Sequence, residues 1–210
     1  MQILGRDILI SMIIVCIMLM MYTKRKNKRV ISLYNTGIIL FSLSIIVIFS
    51  LTGISPMSGF HLDIRINEIS FIPFKGIIEM SQNGITIYSF INIVGNIIMF
   101  MPVGFLLPLI CTKVDSCKKV VIIGFCTSLL IESTQLFLTR GTDIDDLILN
   151  TSGAVLGYLV FPIFKKAFSG FTEKFIISSK SMQNRFVLLS ATLVPYFVII
   201  ICGFHDRFKY

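Results

Sequence analysis

The sequence predicts an all-α integral membrane protein: a polytopic bundle of five or six transmembrane helices with an amphipathic outer loop. Three observations carry that prediction. Of 210 residues 55% are hydrophobic and only 14% charged, with a mean hydropathy of +0.87, outside the range of soluble domains. The apolar residues are gathered into stretches near the ~20 residues that cross about 30 Å of hydrocarbon. Lys and Arg collect in alternate connections between those stretches, as a charge-set topology requires.

Six stretches qualify, at residues 8–22, 30–54, 90–110, 120–137, 147–164 and 186–202. The first covers only about 22 Å at 1.5 Å per residue, so it is expected to tilt little or to extend back through Asp7 and Arg6. A secretory signal carries its positive charge before the apolar core and a small-residue cleavage site after it. Here the basic run 24–29 follows the core and no A-x-A-like site appears, so the stretch reads as a retained span. The connection 55–89 mixes Asp63, Arg65, Glu68, Lys75 and Glu79 with Ile66, Ile69, Phe71, Ile72 and Phe74. It is expected to lie along the bilayer surface or dip into the bundle, broken by Pro73, with short helices on either side.

The run 24–29 and Lys113, Lys118, Lys119, Lys165, Lys166, Lys174, Lys180 and Arg185 fall on one side of this alternation, whereas Arg6, Arg65, Lys75, Arg140, Arg207 and Lys209 fall on the other. Loops rich in Lys and Arg stay cytoplasmic. Both termini are therefore expected outside, and the net charge of +8 reads as a topology signal. No nucleic-acid partner is expected, because the charges are scattered through short loops without a folded module. Cys16, Cys126 and Cys202 lie within spans as small apolar residues, while Cys111 and Cys117 flank a cytoplasmic loop where thiols stay reduced. His61 and His205 are isolated and read as solvated.

Polar residues then take their places in depth. Asn92 and Asn96 share a face of the third span through their i, i+4 spacing, in its first turns from outside. Glu132 and Gln135 sit at the outer end of the fourth, and Asp145 reads as a solvated loop charge. Asp143, Asp146, Asn150, Gly153 and Gly157 recur at three, four, three and four residues, one stripe down the fifth span. Three spans thus deliver polar groups to one leaflet, where an outward-facing polar pocket is expected. Such groups are costly against lipid and should point into the bundle and pair, with Arg140 as counter-ion to Asp143 and Asp146. The plainer reading is packing: Asn, Gln and small residues bridge transmembrane helices, and for Asn92, Asn96, Gln135 and Asn150 taken singly it stands level with function. For Glu132, Arg140, Asp143 and Asp146 together, function is preferred, since amides would join helices at lower desolvation cost.

The run Arg140-x-x-Asp143-x-x-Asp146-x-x-x-Asn150-x-x-Gly153, preceded by Glu132-x-x-Gln135, resembles the signature of VanZ-like membrane proteins. So does Asn92-x-x-x-Asn96-x-x-x-Phe100-x-Pro102-x-Gly104. Ile72-Pro73-Phe74 looks like the end of the family's Asn-Leu-x-Pro-Phe pattern, with Ser70-Phe71 here in place of Asn-Leu. The resemblance covers about residues 30–165. It divides the chain into an N-terminal span and basic loop (1–29), the VanZ-like domain (30–165), and a basic cytoplasmic loop with a C-terminal span (166–210). It implies a bacterial cell-envelope protein in the cytoplasmic membrane, in a family whose founding member is linked to teicoplanin resistance.

Two functions fit. In one, Arg140, Asp143, Asp146, Asn150, Glu132, Gln135, Asn92 and Asn96 bind an amphiphile: membrane lipid, a lipid-linked envelope precursor or a lipoglycopeptide. In the other, Glu132 and Asp146 serve as acid and base on such a lipid. No His-assisted nucleophile and no cofactor motif is visible, so binding is preferred. The carboxylates could suit Mg²⁺ or Ca²⁺, but Arg140 opposes a cation and no metal is expected. Transport is a third option, resting on Pro102 and Pro108 breaking the third span, with no matching half.

Overall fold

The computed structural model of the chain describes all residues except 1, 26–31, 56–59, 61–68, 76–77, 79–81, 83, 85, 112, 115, 139–140, 183–184 and 210. Seven helices follow one another: α1 (Gln2–Arg25), α2 (Leu33–Leu51), α3 (Ile87–Ile110), α4 (Cys117–Gln135), α5 (Ile144–Ala167), α6 (Ser169–Met182) and α7 (Arg185–Lys209). No strand occurs among the described residues. Five helices, α1, α2, α3, α5 and α7, are long and apolar enough to cross a membrane, and the protein is an all-α polytopic membrane protein. The sixth stretch, α4, falls short by composition: it opens on Lys118 and Lys119 and closes on Glu132 and Gln135. It still stands within the bundle, with Val120, Gly124, Ser128 and Ile131 buried.

The first stretch extends well beyond 8–22. With 24 residues α1 is about 36 Å long, and it runs back through Asp7 and Arg6 because those charges have partners. The Arg6 guanidinium donates to Asp7 Oδ1 at 2.7 Å and to Asp206 Oδ2 at 2.6 Å, clasping the start of α1 to the end of α7. Below the clasp, Asp7, Ser11, Val15, Leu19 and Thr23 are buried at steps of four, one face turned to the bundle. Leu9, Ile13 and Ile17 are 64%, 57% and 46% exposed, a second stripe at the same step. An apolar face of this kind is the face a membrane helix presents to lipid.

α2 is the central element. Tyr34, Ile38, Phe41, Ile45, Ile48 and Phe49 are buried among α1, α3, α6 and α7. Ser32 caps its first turn through a bond from the Asn35 amide at 3.2 Å, and Thr52 closes its end by donating to the Ile48 carbonyl at 2.9 Å. These bonds occupy terminal backbone groups that hydrocarbon would leave unsatisfied.

α3 and α5 lie side by side and parallel. A Cβ on Gly153 would overlap the carbonyl of Ile97; one turn further along both helices, a Cβ on Gly157 would overlap that of Met101. Gly104 in turn lies against the carbonyl of Ala154. Lipid tails supply little drive for apolar side chains to associate, so transmembrane helices hold by close packing, and small residues permit it. α3 continues through Pro102 and Pro108 without a break, which removes the broken helix on which the transport reading rested.

Residues 169–182, read from the sequence as part of a basic loop, form α6. Among the described residues Thr172 and Phe175 are buried, and the Phe175 ring lies beside Gly37 and Ile110, so α6 crosses beneath the start of α2 and the end of α3. At that end the described basic residues Lys24, Arg25, Lys113, Lys118, Lys119, Lys165, Lys166 and Lys174 are exposed. The opposite end carries the polar cluster.

Candidate functional site

Asp143 builds the site's frame. As N-cap of α5 it is extended, and its Oδ1 accepts the Asp145 amide at 2.9 Å, satisfying one of the donors a helix start leaves free. Its own amide donates to Glu132 Oε2 at 3.1 Å, and the Thr142 hydroxyl donates to the Glu132 carbonyl at 3.2 Å. Glu132, 5% exposed, therefore ties the end of α4 to the start of α5. Its carboxylate lies at the positive end of the α5 dipole, where negative charge is favoured.

α3 joins through Asn96, whose Nδ2 donates to Asp146 Oδ1 at 2.6 Å with both residues buried. One turn deeper, Asn150 donates to the Ser128 hydroxyl of α4 at 2.9 Å. Gln135 turns to another neighbour: its amide donates to the Thr52 carbonyl at 2.8 Å, linking α4 to the end of α2. The remaining oxygens of the two amides, Gln135 Oε1 and Asn150 Oδ1, are buried without a partner among the described residues.

The predicted residues thus separate. Glu132, Asp143, Asp146 and Asn96 come together where the end of α4 and the start of α5 meet the third turn of α3; Asn150 lies below them, and Gln135 faces α2. Asn92 is exposed on the first turns of α3 and does not join the group. Arg140 lies outside the described residues.

Asp145 overturns its reading as a solvated loop charge. It is 8% exposed, and its Oδ1 accepts the backbone amide of Phe74. The partner belongs to a segment invisible in local spacing, the strap 69–75. Ser70 bridges in parallel to Asp143, with its amide donating to the Thr142 carbonyl at 3.0 Å and its carbonyl accepting the Ile144 amide at 3.1 Å. Ile72-Pro73-Phe74 is thereby fixed against the first turn of α5. Phe74 has a φ of 61°, at a turn position after Pro where Gly or Asn is the ordinary occupant. Beyond it the Ile78 amide donates to the Phe74 carbonyl at 2.9 Å; residues 76–77, and the segment before the strap, 61–68, lie outside the described residues. The side chains of Phe71, Ile72 and Phe74 are 67%, 59% and 50% exposed.

On the side of α4 towards α7 lies a cavity of about 350 Å³ lined by Leu130, Thr134, Phe137, Tyr196 and Phe204, with Phe60 at its edge. Phe60 meets Phe204 edge-on at 4.9 Å and Phe137 at 6.5 Å, and Thr134 pairs with the Tyr196 hydroxyl at 2.9 Å.

Sequence reasoning missed the clasp of Arg6, Asp7 and Asp206. The available signal was an Asp-Arg pair, 206–207, beyond the far end of the last apolar stretch, opposite an Arg-Asp pair, 6–7, at the start of the first. Comparison with curated proteins found no match, nor did comparison with solved structures. A family model described as VanZ/LLP1 matches residues 8–165, beginning within α1, earlier than the motifs suggest, and running to the last turn of α5. With the match covering most of its length, and with Glu132, Asp143, Asp146 and Asn96 gathered where α3, α4 and α5 meet, the chain belongs to the VanZ/LLP1 family.

Proposed function

We propose that the cluster where the end of α4 and the start of α5 meet α3 is the polar half of a binding site for an envelope amphiphile, facing outward from a bacterial cytoplasmic membrane. One observation supports this above others. Ionisable groups with buried carboxylates, Glu132, Asp145 and Asp146, are concentrated at one helix start beneath a strap whose apolar side chains are exposed. Amides alone would join these helices at lower desolvation cost. Asp146 and Glu132 present acceptors for hydroxyls or amines, and Arg140, three residues before Asp143, supplies paired donors for a phosphate or carboxylate. The aromatic-lined cavity beside α4 suits the apolar chain. Ligands of this description include a lipid-linked envelope precursor and a lipoglycopeptide, and through them the site would contribute to teicoplanin resistance.

The test is native mass spectrometry of purified protein incubated with bacterial envelope lipid. The wild type should retain an amphiphile of unchanged mass, and Arg140→Gln should lose it while remaining folded. Equal retention by both would overturn the reading. A lipid of altered mass that requires Glu132 would replace binding with catalysis.

A further inference from the structure

At the basic end, away from the cluster, α1, α2 and α7 enclose a second cavity of about 350 Å³. Val15, Leu19, Tyr22 and Arg25 line it from α1, Ile38 from α2 and Ala191 from α7. The α1 residues recur at steps of three or four, a single stripe about 15 Å long from Val15 to Arg25, so the cavity runs along the helix axes. Its inner wall is apolar and closed: Val15, Leu19, Ile38 and Ala191 are at most 5% exposed. Met21, 54% exposed, stands at its lipid-facing edge. Among the described residues its polar lining groups are Tyr22, Ser190 and Arg25, and Arg25 is exposed beside Lys24.

We infer that this cavity is a site for an anionic diacyl phospholipid, one acyl chain lying between α1, α2 and α7 and the phosphate held at Arg25. The two halves of the cavity match the two halves of that ligand. The volume falls within the ~300–1,000 Å³ of small-ligand sites, its long axis follows the direction lipid chains take, and Arg25, the cation among its described lining residues, stands at the last turn of α1. Basic pockets between transmembrane helices on the cytoplasmic side recognise acidic headgroups in this way. A zwitterionic lipid fills the apolar part equally but lacks the net charge that Arg25 selects.

Native mass spectrometry of the full chain, released from micelles containing equal phosphatidylglycerol and phosphatidylcholine of matched chains, separates the contributions. The wild type should retain phosphatidylglycerol about fivefold over phosphatidylcholine, the preference expected of one basic side chain near the membrane surface. Arg25→Gln should bring the ratio close to one, whereas Lys165→Gln, at the same end but outside the cavity, should leave it unchanged. Ser190→Phe, which fills the cavity from α7, should lower retention of both lipids, with circular dichroism to verify folding. Equal retention of the two lipids by the wild type, or an unchanged preference in Arg25→Gln, would overturn the assignment whether or not Ser190→Phe folds.

Discussion

Beside the Ser70 backbone bonds, Asp145 Oδ1 holds the strap by accepting the Phe74 amide, which donates from a left-handed backbone. The two residues therefore oppose each other energetically. A hydrogen bond to a charged group contributes about 1.5–3 kcal/mol, while a non-glycine residue in the left-handed region costs about 1–2 kcal/mol. Asp145→Ala should release the C-terminal part of the strap, seen as faster exchange of the Phe74 amide while that of Ser70, held by the Thr142 carbonyl, stays slow, and Phe74→Gly should leave that protection intact because Gly adopts the same φ without cost. Fast exchange in Phe74→Gly with slow exchange in Asp145→Ala would reverse the assignment. The bond from Asn96 to Asp146 has its own measure. In membranes such pairs average about 0.6 and reach about 1.7 kcal/mol, and a double-mutant cycle with Asn96→Ala and Asp146→Ala should fall toward the upper value because the acceptor is a carboxylate. A coupling near zero would remove this bond from the account. At this scale the stripe of Asp143, Asp146 and Asn150 was legible from spacing alone, since all three lie on one helix. Asp145 was misread because its partner is 71 residues away, and Arg6 was left unpaired because Asp206 is 200 away; periodicity within a helix carries no information on such partners.

Between elements, the contact of α3 with α5 depends on glycines whose surroundings differ. Gly104 faces the carbonyl of Ala154, whereas Gly95, on the same helix, has no atom of another element among the described residues within contact distance of a Cβ. Gly104→Ala should destabilise the protein by on the order of 1–3 kcal/mol through overpacking, and Gly95→Ala should be neutral or stabilising by up to about 1 kcal/mol through helix propensity. Thermal unfolding in detergent distinguishes them, and equal effects would refute the close crossing. Helix positions were legible because hydropathy and length define a span. α6 was not, because its 14 residues are polar enough to read as a loop, and among those whose burial is described only Thr172 and Phe175 mark the buried face. The limits of α1 were set too short for a related reason: Arg6 and Asp7 look like flanking charges until Asp206 meets them.

Over the whole molecule, alternation of the long helices separates two ends of different character. One gathers carboxylates, the strap and the aromatic cavity, and the other gathers exposed Lys and Arg, α6 and the cavity below Arg25. Charge distribution in the sequence anticipated this separation, because topology is selected through short loops whose Lys and Arg counts can be read directly. Which end faces the exterior decides whether the carboxylate cluster can meet an envelope amphiphile. Gly141 and Lys118 are both exposed and lie at opposite ends of α4, so in a background without native cysteines Gly141→Cys and Lys118→Cys report the two ends separately. A membrane-impermeant thiol reagent applied to intact cells should modify the cysteine at position 141 and spare that at 118; modification at 118 with protection at 141 would place the cluster inside the cell and contradict the account.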